Sequence, residues 1–236
     1  MRLCIIVPIV GLTPDDLDAR SRLLKQVARH DTEIDLWTVK NGPVSIESRY
    51  EEETAVAPVL ELVRQAVARR YDAVGVWCGG DPGVHAAREL ATIPVVGPGE
   101  ASLIFAHMLA RRYSILALRE DGSAIFEDLV ERTGLTGRLA SIRFTGMTVR
   151  ELGGDRMKTL ERLETVGRQA IAEDRAHALV LGCLGMAGLA RPLEERLGVP
   201  VIDPAAALVG IAETLVHLGL SYSKITYPVP HSLRCQ

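Results

Sequence analysis

The chain repeats itself. Ile93-Pro-Val-Val-Gly-Pro98 returns 106 residues later as Val199-Pro-Val-Ile-Asp-Pro204. Val76-Trp-Cys-Gly-Gly80 returns as Leu181-Gly-Cys-Leu-Gly185 after 105. A near-constant offset in two separate segments confines the fold to two copies of one unit. The length of 236 residues accommodates two lobes of about 100 each.

Each copy alternates strand and helix patterns. The first reads as strands at Leu3–Val7, Ile34–Val39, Ala73–Trp77 and Pro94–Val96. Between them lie helices at Pro14–Arg29, Thr54–Arg69 and Gly83–Leu90. Thr13 is placed as an N-cap with Pro14 at the first helical position, and Leu17, Leu24 and Val27 share one face. The second copy gives strands at Tyr113–Leu118, Leu139–Phe144, Ala178–Leu181 and Pro200–Ile202, with helices at Ala124–Thr133, Arg156–Glu173 and Leu189–Leu197. Gly99–Ala110 and Pro204–Gly219 read as the helices that follow each copy. Such alternation predicts an α/β fold, with a parallel sheet in each lobe covered by helices and a pseudo-twofold axis between the lobes. The expected lobes are residues 1–97 and 98–211, with the segment from about 212 to 236 packing back on the first.

The repeat sets one cysteine in each copy, Cys78 and Cys183, at the carboxyl end of a strand. Open parallel sheets place their ligand crevices there. Glycines beside each thiol let backbone approach a ligand, and a following helix aims free N–H groups at the loop. That field favours the thiolate, which acts as base or nucleophile. The plain alternative is that cysteine packs there as a small apolar residue. Two thiols at equivalent repeat positions weigh against it. Cys4 lies inside the first strand and reads as core, and Cys235 on the tail reads as incidental.

Other chemistries lack support. Gly79-Gly80-Asp81-Pro82-Gly83 follows a strand, but no Lys-Ser/Thr completes a phosphate loop. Gly182, Gly185 and Gly188, with Asp203 downstream, imitate a dinucleotide fingerprint at the wrong spacing. None of the six histidines stands at metal-ligand spacing with the cysteines; His85, seven residues after Cys78, could support that thiol or face solvent. No G-x-S-x-G elbow is present. A net charge of −3 without a dense basic run argues against nucleic acid and anionic membranes, and aromatics at 4% argue against stacking platforms. No apolar stretch reaches the roughly 20 residues of a membrane span. Leu3–Leu12 lacks a small-residue cleavage site. Four scattered cysteines without C-x-x-C spacing point to reduced thiols and a cytoplasmic location.

At these residues the chain resembles the aspartate/glutamate/hydantoin racemase superfamily, most of all its hydantoin and allantoin racemase branch. Gly42-Pro-Val-Ser-Ile-Glu-Ser48, Cys78-Gly-Gly-Asp-Pro-Gly83, Leu181-Gly-Cys-Leu-Gly-Met186 and Gly198-Val-Pro-Val-Ile-Asp203 carry the resemblance, with a weaker tail match at Leu218–Lys224. It implies two Rossmann-like lobes and a cleft with one cysteine on each side of a small-molecule substrate. It implies a cofactor-independent racemase needing no metal, and a homo-oligomer is expected. Cys78 and Cys183 become the acid/base pair: one thiolate removes the proton at the stereocentre and the opposite thiol returns one to the other face. Pro8, Ile9, Ile46, Gly79, Gly80, Leu118, Leu184 and Gly185 become the substrate-binding set. The N–H groups of Gly79 and Leu184 are the natural donors to a developing enolate oxygen.

Two loops depart from the branch. Pro8-Ile9-Val10-Gly11 stands where an Asn-Pro-Asn-Thr type is usual, and Leu118-Arg119-Glu120-Asp121 where hydroxyl residues are usual. The opening loop also resembles relatives that decarboxylate arylmalonates or isomerise maleate. The decarboxylase type keeps only the second-lobe cysteine, so Cys78 counts against it; maleate isomerase has two. A non-catalytic two-lobed binding protein is the remaining alternative.

Overall fold

The computed structural model describes residues 1–234. Eight strands form two four-stranded sheets, ordered β2-β1-β3-β4 and β6-β5-β7-β8, and every pairing is parallel. The first contains β1 (Arg2–Val7), β2 (Glu33–Thr38), β3 (Ala73–Val76) and β4 (Val95–Val96). The second contains β5 (Tyr113–Ala117), β6 (Leu139–Phe144), β7 (Ala178–Leu181) and β8 (Val201–Ile202). Helices cover both faces of the sheets, so β3, β5 and β7 are buried at every position, Ser114 of β5 included.

The intervening helices are α1 (Pro14–Val27), α2 (Arg49–Ala68), α3 (Val84–Leu90), α5 (Ser123–Thr133), α6 (Val149–Gly154), α7 (Arg156–Ala172) and α8 (Ala190–Leu197). Thr13 caps α1 in a reciprocal box with Asp16, with Pro14 in the first turn. On this helix only Leu24 is buried, and Val27 is 36% exposed, so the apolar stripe is narrower than its spacing predicts. Ser48 and Glu51 form a second capping box, which starts α2 at Arg49, five residues before the expected Thr54. A third box, Thr148 with Glu151, starts α6, a short helix absent from the sequence reading.

Two helices cross between the sheets. α4 (Pro98–Leu109) follows β4 but packs on β7 and β8, while α9 (Pro204–His217) follows β8 but packs on β3 and β4. They also pack on each other along the seam. A Cβ on Gly75 of β3 would stand 2.7 Å from Leu208 of α9, so the missing side chain is what lets that helix lie on the sheet. The last turn, α10 (His231–Arg234), ends the described chain, and Cys235 lies outside the described residues. Among the described residues no helix is long and apolar enough to cross a membrane.

Candidate active site

Both cysteine strands end in the same way. The N–H of Trp77 donates to the Ile6 carbonyl at 2.8 Å, and the N–H of Gly182 to the Leu116 carbonyl at 2.9 Å. Each bond carries the chain one residue past its strand and turns the next, Cys78 or Cys183, out of the sheet. The first loop then tightens through Asp81 N–H to the Cys78 carbonyl at 3.1 Å, the second through Met186 N–H to the Cys183 carbonyl at 2.9 Å. Asp81 adopts φ +60°, a left-handed conformation uncommon for a non-glycine residue. Its buried carboxylate accepts from the N–H groups of Gly99 at 2.8 Å and Glu100 at 2.7 Å, fixing the Cys78 loop to the start of α4.

The loops meet backbone to backbone. A Cβ on Gly79 would collide with the Gly182 carbonyl oxygen, and one on Gly99 with the Gly79 carbonyl oxygen. Gly182 stands where the first copy has Trp77, and its own Cβ would touch the Phe126 ring at 3.0 Å. This glycine seam brings the two cysteine loops together, the Cys183 backbone nitrogen 3.7 Å from where a Gly79 Cβ would be, and both thiols are partly buried.

The residues expected to bind substrate lie on loops of both lobes. The loop after β1 holds buried Pro8 and half-buried Ile9, and its Val10 N–H bonds the Pro43 carbonyl at 3.0 Å, joining it to the segment that carries half-buried Ile46. That segment reaches the second lobe: a Glu47 carboxylate oxygen accepts from Val149 N–H at 3.2 Å, and Arg49 pairs with Asp128 of α5. Leu118 is buried, its carbonyl accepting from Gly146 N–H at 2.7 Å. Gly79, Gly80 and Leu184 are buried and Gly185 half-buried. Among the described residues neither the Gly79 nor the Leu184 N–H donates to a protein acceptor. His85 does not serve Cys78: it is exposed on α3 and stacks edge-on with Tyr227. Cys4 is fully buried in β1.

Burial pushes both thiols upward, Cys183 to about 11 and Cys78 further. Each sulfur accepts one opposing N–H, from Gly80 to Cys78 and from Gly185 to Cys183, the latter at 3.4 Å. The remaining neighbours differ. Cys183, Glu52 and Asp81 all push Cys78 up, whereas Cys183 has Glu47 against it and Arg20 in its favour. Glu52 is itself buried, its carboxylate within 2.8 Å of where a Gly80 Cβ would be. Sequence reasoning missed Glu47, Glu52 and Arg20. Two of them had a signal: Glu47 lies within the Gly42–Ser48 stretch that carries the resemblance, and Arg20 falls three residues after Leu17 and four before Leu24, on the face assigned to the core. Among the described residues no three His, Cys, Asp or Glu side chains cluster as metal ligands.

The profile of the Asp/Glu/Hydantoin racemase family matches residues 17–212. A hydantoin racemase from a Pseudomonas species is 44% identical over 207 residues, which cover 87% of this chain and 83% of that one. The crystal structure of allantoin racemase from Pseudomonas fluorescens superposes with a TM-score of 0.92 at 36% identity, covering 98% of this chain and 97% of that one. Allantoin racemase from Klebsiella pneumoniae gives 0.91 at 35%, covering 98% and 94%.

Proposed function

The chain belongs to the Asp/Glu/hydantoin racemase family, and from that premise we propose that it inverts the C5 stereocentre of a hydantoin or related cyclic ureide, including allantoin, by proton transfer between Cys78 and Cys183 without a cofactor. One observation carries the mechanism. The glycine seam at Gly79 and Gly182 holds two thiols from equivalent repeat positions in a single site.

The chemistry follows from the substrate's own acidity. The hydrogen on C5 is acidified by the neighbouring carbonyl, so a thiolate removes it and the electron pair moves onto that oxygen as an enolate. The N–H groups of Gly79 and Leu184, unused by the protein, support the reading that donors await this charge. The second thiol then protonates the opposite face of the planar intermediate, and exchanged roles serve the other enantiomer. Proton transfer of this kind contributes about 10²–10⁴-fold, with positioning and electrostatics supplying the rest. In this reading the lobes divide at residues 97 and 98, α4 lying with the second and α9 returning to the first.

Polarimetry on enantiopure 5-substituted hydantoins and allantoin, beside free amino acids, maleate and an arylmalonate, tests the proposal. Loss of rotation with a cyclic ureide supports it. Turnover confined to maleate or the arylmalonate would overturn it.

A further inference from the structure

We propose that Arg49 is the positioning residue that holds the two cysteine loops at the separation inversion requires, by clasping α5 of the second lobe to α2 of the first. The inference rests on the two-cysteine reading above. It assigns the setting of that separation to a side chain outside the expected substrate-binding set.

Arg49 opens α2 directly after the Ser48 cap. A cation in the first turn faces the positive end of the helix dipole, so local preference does not account for it. Its partners are mostly tertiary. Nη1 donates to Glu52 Oε2 at 3.1 Å, and Nη2 donates to the Ala124 carbonyl at 3.3 Å and to the Asp128 carboxylate. Glu52 belongs to α2, while Ala124 and Asp128 belong to α5. One planar guanidinium therefore bridges the lobes, an arrangement that suits its forked donors.

Both ends of the clasp lie against the cysteine loops. On the first lobe, the buried Glu52 carboxylate is 2.8 Å from where a Cβ would be on Gly80, two residues after Cys78. On the second lobe, Ile125 Cγ2 is 2.6 Å from that same point, and the Phe126 ring is 3.0 Å from where a Cβ would be on Gly182, the residue before Cys183. Residues 124–128 of α5 thus lie over both loops at once, and Arg49 fastens this stretch to the first lobe. The preceding residues close the same seam. Glu47 accepts from Val149 N–H at 3.2 Å, and its own carbonyl oxygen is 2.7 Å from where a Gly122 Cβ would be.

Inversion depends on this placement in a way that one-face proton exchange does not. Inversion needs a sulfur on each side of C5, and exchange needs one. Misplacing a reacting group by about 1 Å costs on the order of 10²-fold. With α5 released, the first sulfur still takes the C5 proton, trades it for a solvent deuteron and returns that deuteron to the same face. Delivery from the opposite sulfur is what slows. The signature of a loosened clasp is therefore a shift from inversion toward exchange with retention.

Two variants test this. Asp128→Ala releases the second-lobe arm and leaves Glu52 paired, which protects the fold. Arg49→Gln combined with Glu52→Gln removes the clasp without leaving a buried carboxylate unpaired. Each enantiomer of a 5-substituted hydantoin is incubated in deuterium oxide, and chiral chromatography with mass spectrometry follows inversion and the deuterium in the unconverted enantiomer. Inversion should fall about threefold in Asp128→Ala and at least about tenfold in the double variant. The ratio of retained exchange to inversion should rise in both. An unchanged ratio would overturn the inference whatever the rate, because loss of folded enzyme lowers both processes together. Backbone hydrogen exchange without substrate gives a second measurement. Residues 79–82 and 122–128 should lose protection in both variants while β3 and β7 keep theirs, and wild-type protection throughout would overturn the inference. Absence of racemisation by the wild type on every ureide removes the functional reading, and this second measurement then decides whether Arg49 clasps the loops.

Discussion

Asp81 and Asp203 perform one task from opposite ends of the repeat. Asp203 is the N-cap of α9, accepting from the N–H groups of Ala205 at 2.9 Å and Ala206 at 3.4 Å, and it also accepts from Gly188 on the second cysteine loop at 2.5 Å. The corresponding cap position of α4 is Gly97, and there the carboxylate comes from the first cysteine loop, as Asp81. A Cβ on Gly97 would occupy the space of the Asp81 carboxyl group. Each lobe therefore ties its catalytic-loop candidate to the crossing helix with one carboxylate, supplied from the helix in one copy and from the loop in the other.

Asp81→Ala should leave the Gly99 and Glu100 donors without an acceptor. The expected cost is on the order of 1–3 kcal/mol, or about 2–4 °C of melting temperature per kcal/mol for a chain of this size. Activity should fall further than stability, because the same change frees the Cys78 loop. The pH dependence has a definite sign. Burial, acting against the two N–H bonds, raises Asp81 from 3.8 to about 7. The folded state then binds the extra proton between those values, so this group's contribution to stability is greatest near the lower one and declines as pH rises through the upper. Urea titrations at acidic and alkaline pH should show the wild type losing stability relative to Asp81→Asn as pH rises. A constant difference contradicts the assignment.

Gly79→Ala places a methyl group against the Gly182 carbonyl, where neither side is a flexible side chain that can yield. The two loops must separate. Overpacking of this sort costs about 1–3 kcal/mol. Turnover should fall by more than tenfold while the circular dichroism spectrum stays native. Near-normal turnover in a folded Gly79→Ala protein would show that the seam does not set the distance between the thiols.

A strap from the tail should stabilise the first lobe. Arg88 of α3 is 3% exposed at its side chain, pairs with Glu100 of α4 at 2.5 Å, and lies over the Tyr222 ring at 4.0 Å from its centre. Lys224 donates to the carbonyls of Arg88 and Ala91, both at 2.7 Å, closing the end of α3. Glu100→Gln leaves the Arg88 charge buried with aromatic faces and neutral acceptors only. Breaking a buried pair costs about 3–5 kcal/mol, so the melting temperature should drop by several degrees. A shift within error would mean that the tail tyrosines alone carry the charge.

The fold was legible because the repeat and the strand periodicity agree: all eight strands lie within about a residue of where alternation puts them. Helix starts were less legible where a polar capping box, not the apolar stripe, sets them. Ser48 with Glu51 and Thr148 with Glu151 moved α2 and created α6. The crossing of α4 and α9 between sheets is only hinted at by the prolines that open both helices, since no local rule says which sheet a helix covers. At the site, symmetry pointed to Cys78 and Cys183. It could not point to the charged groups around the two loops, because Arg20, Glu47 and Glu52 are brought there by tertiary packing and not by spacing.

The rate should rise with pH well into the alkaline range. Burial raises Cys183 to about 11 and Cys78 beyond it, so at neutral pH only a small fraction of free enzyme carries a thiolate. The catalytically competent form gains population as pH increases toward the lower of the two values. The pH profile of kcat/KM should climb with no plateau near neutrality. A flat profile from neutral to alkaline pH contradicts thiolate catalysis from these sulfurs.

The most direct test of the account is inversion against proton exchange in single cysteine variants. Cys78→Ser and Cys183→Ser each replace a thiol with a hydroxyl that is a far weaker acid, while Cys4→Ser alters only the core of β1. Each enantiomer of a 5-substituted hydantoin is incubated in deuterium oxide, with inversion followed by polarimetry and deuterium at C5 by proton NMR. Either site variant should lose racemisation while deuterium still enters one enantiomer, on the face of the intact sulfur, and Cys4→Ser should racemise normally. Near-normal racemisation by Cys78→Ser or by Cys183→Ser would contradict a mechanism in which each sulfur serves one face.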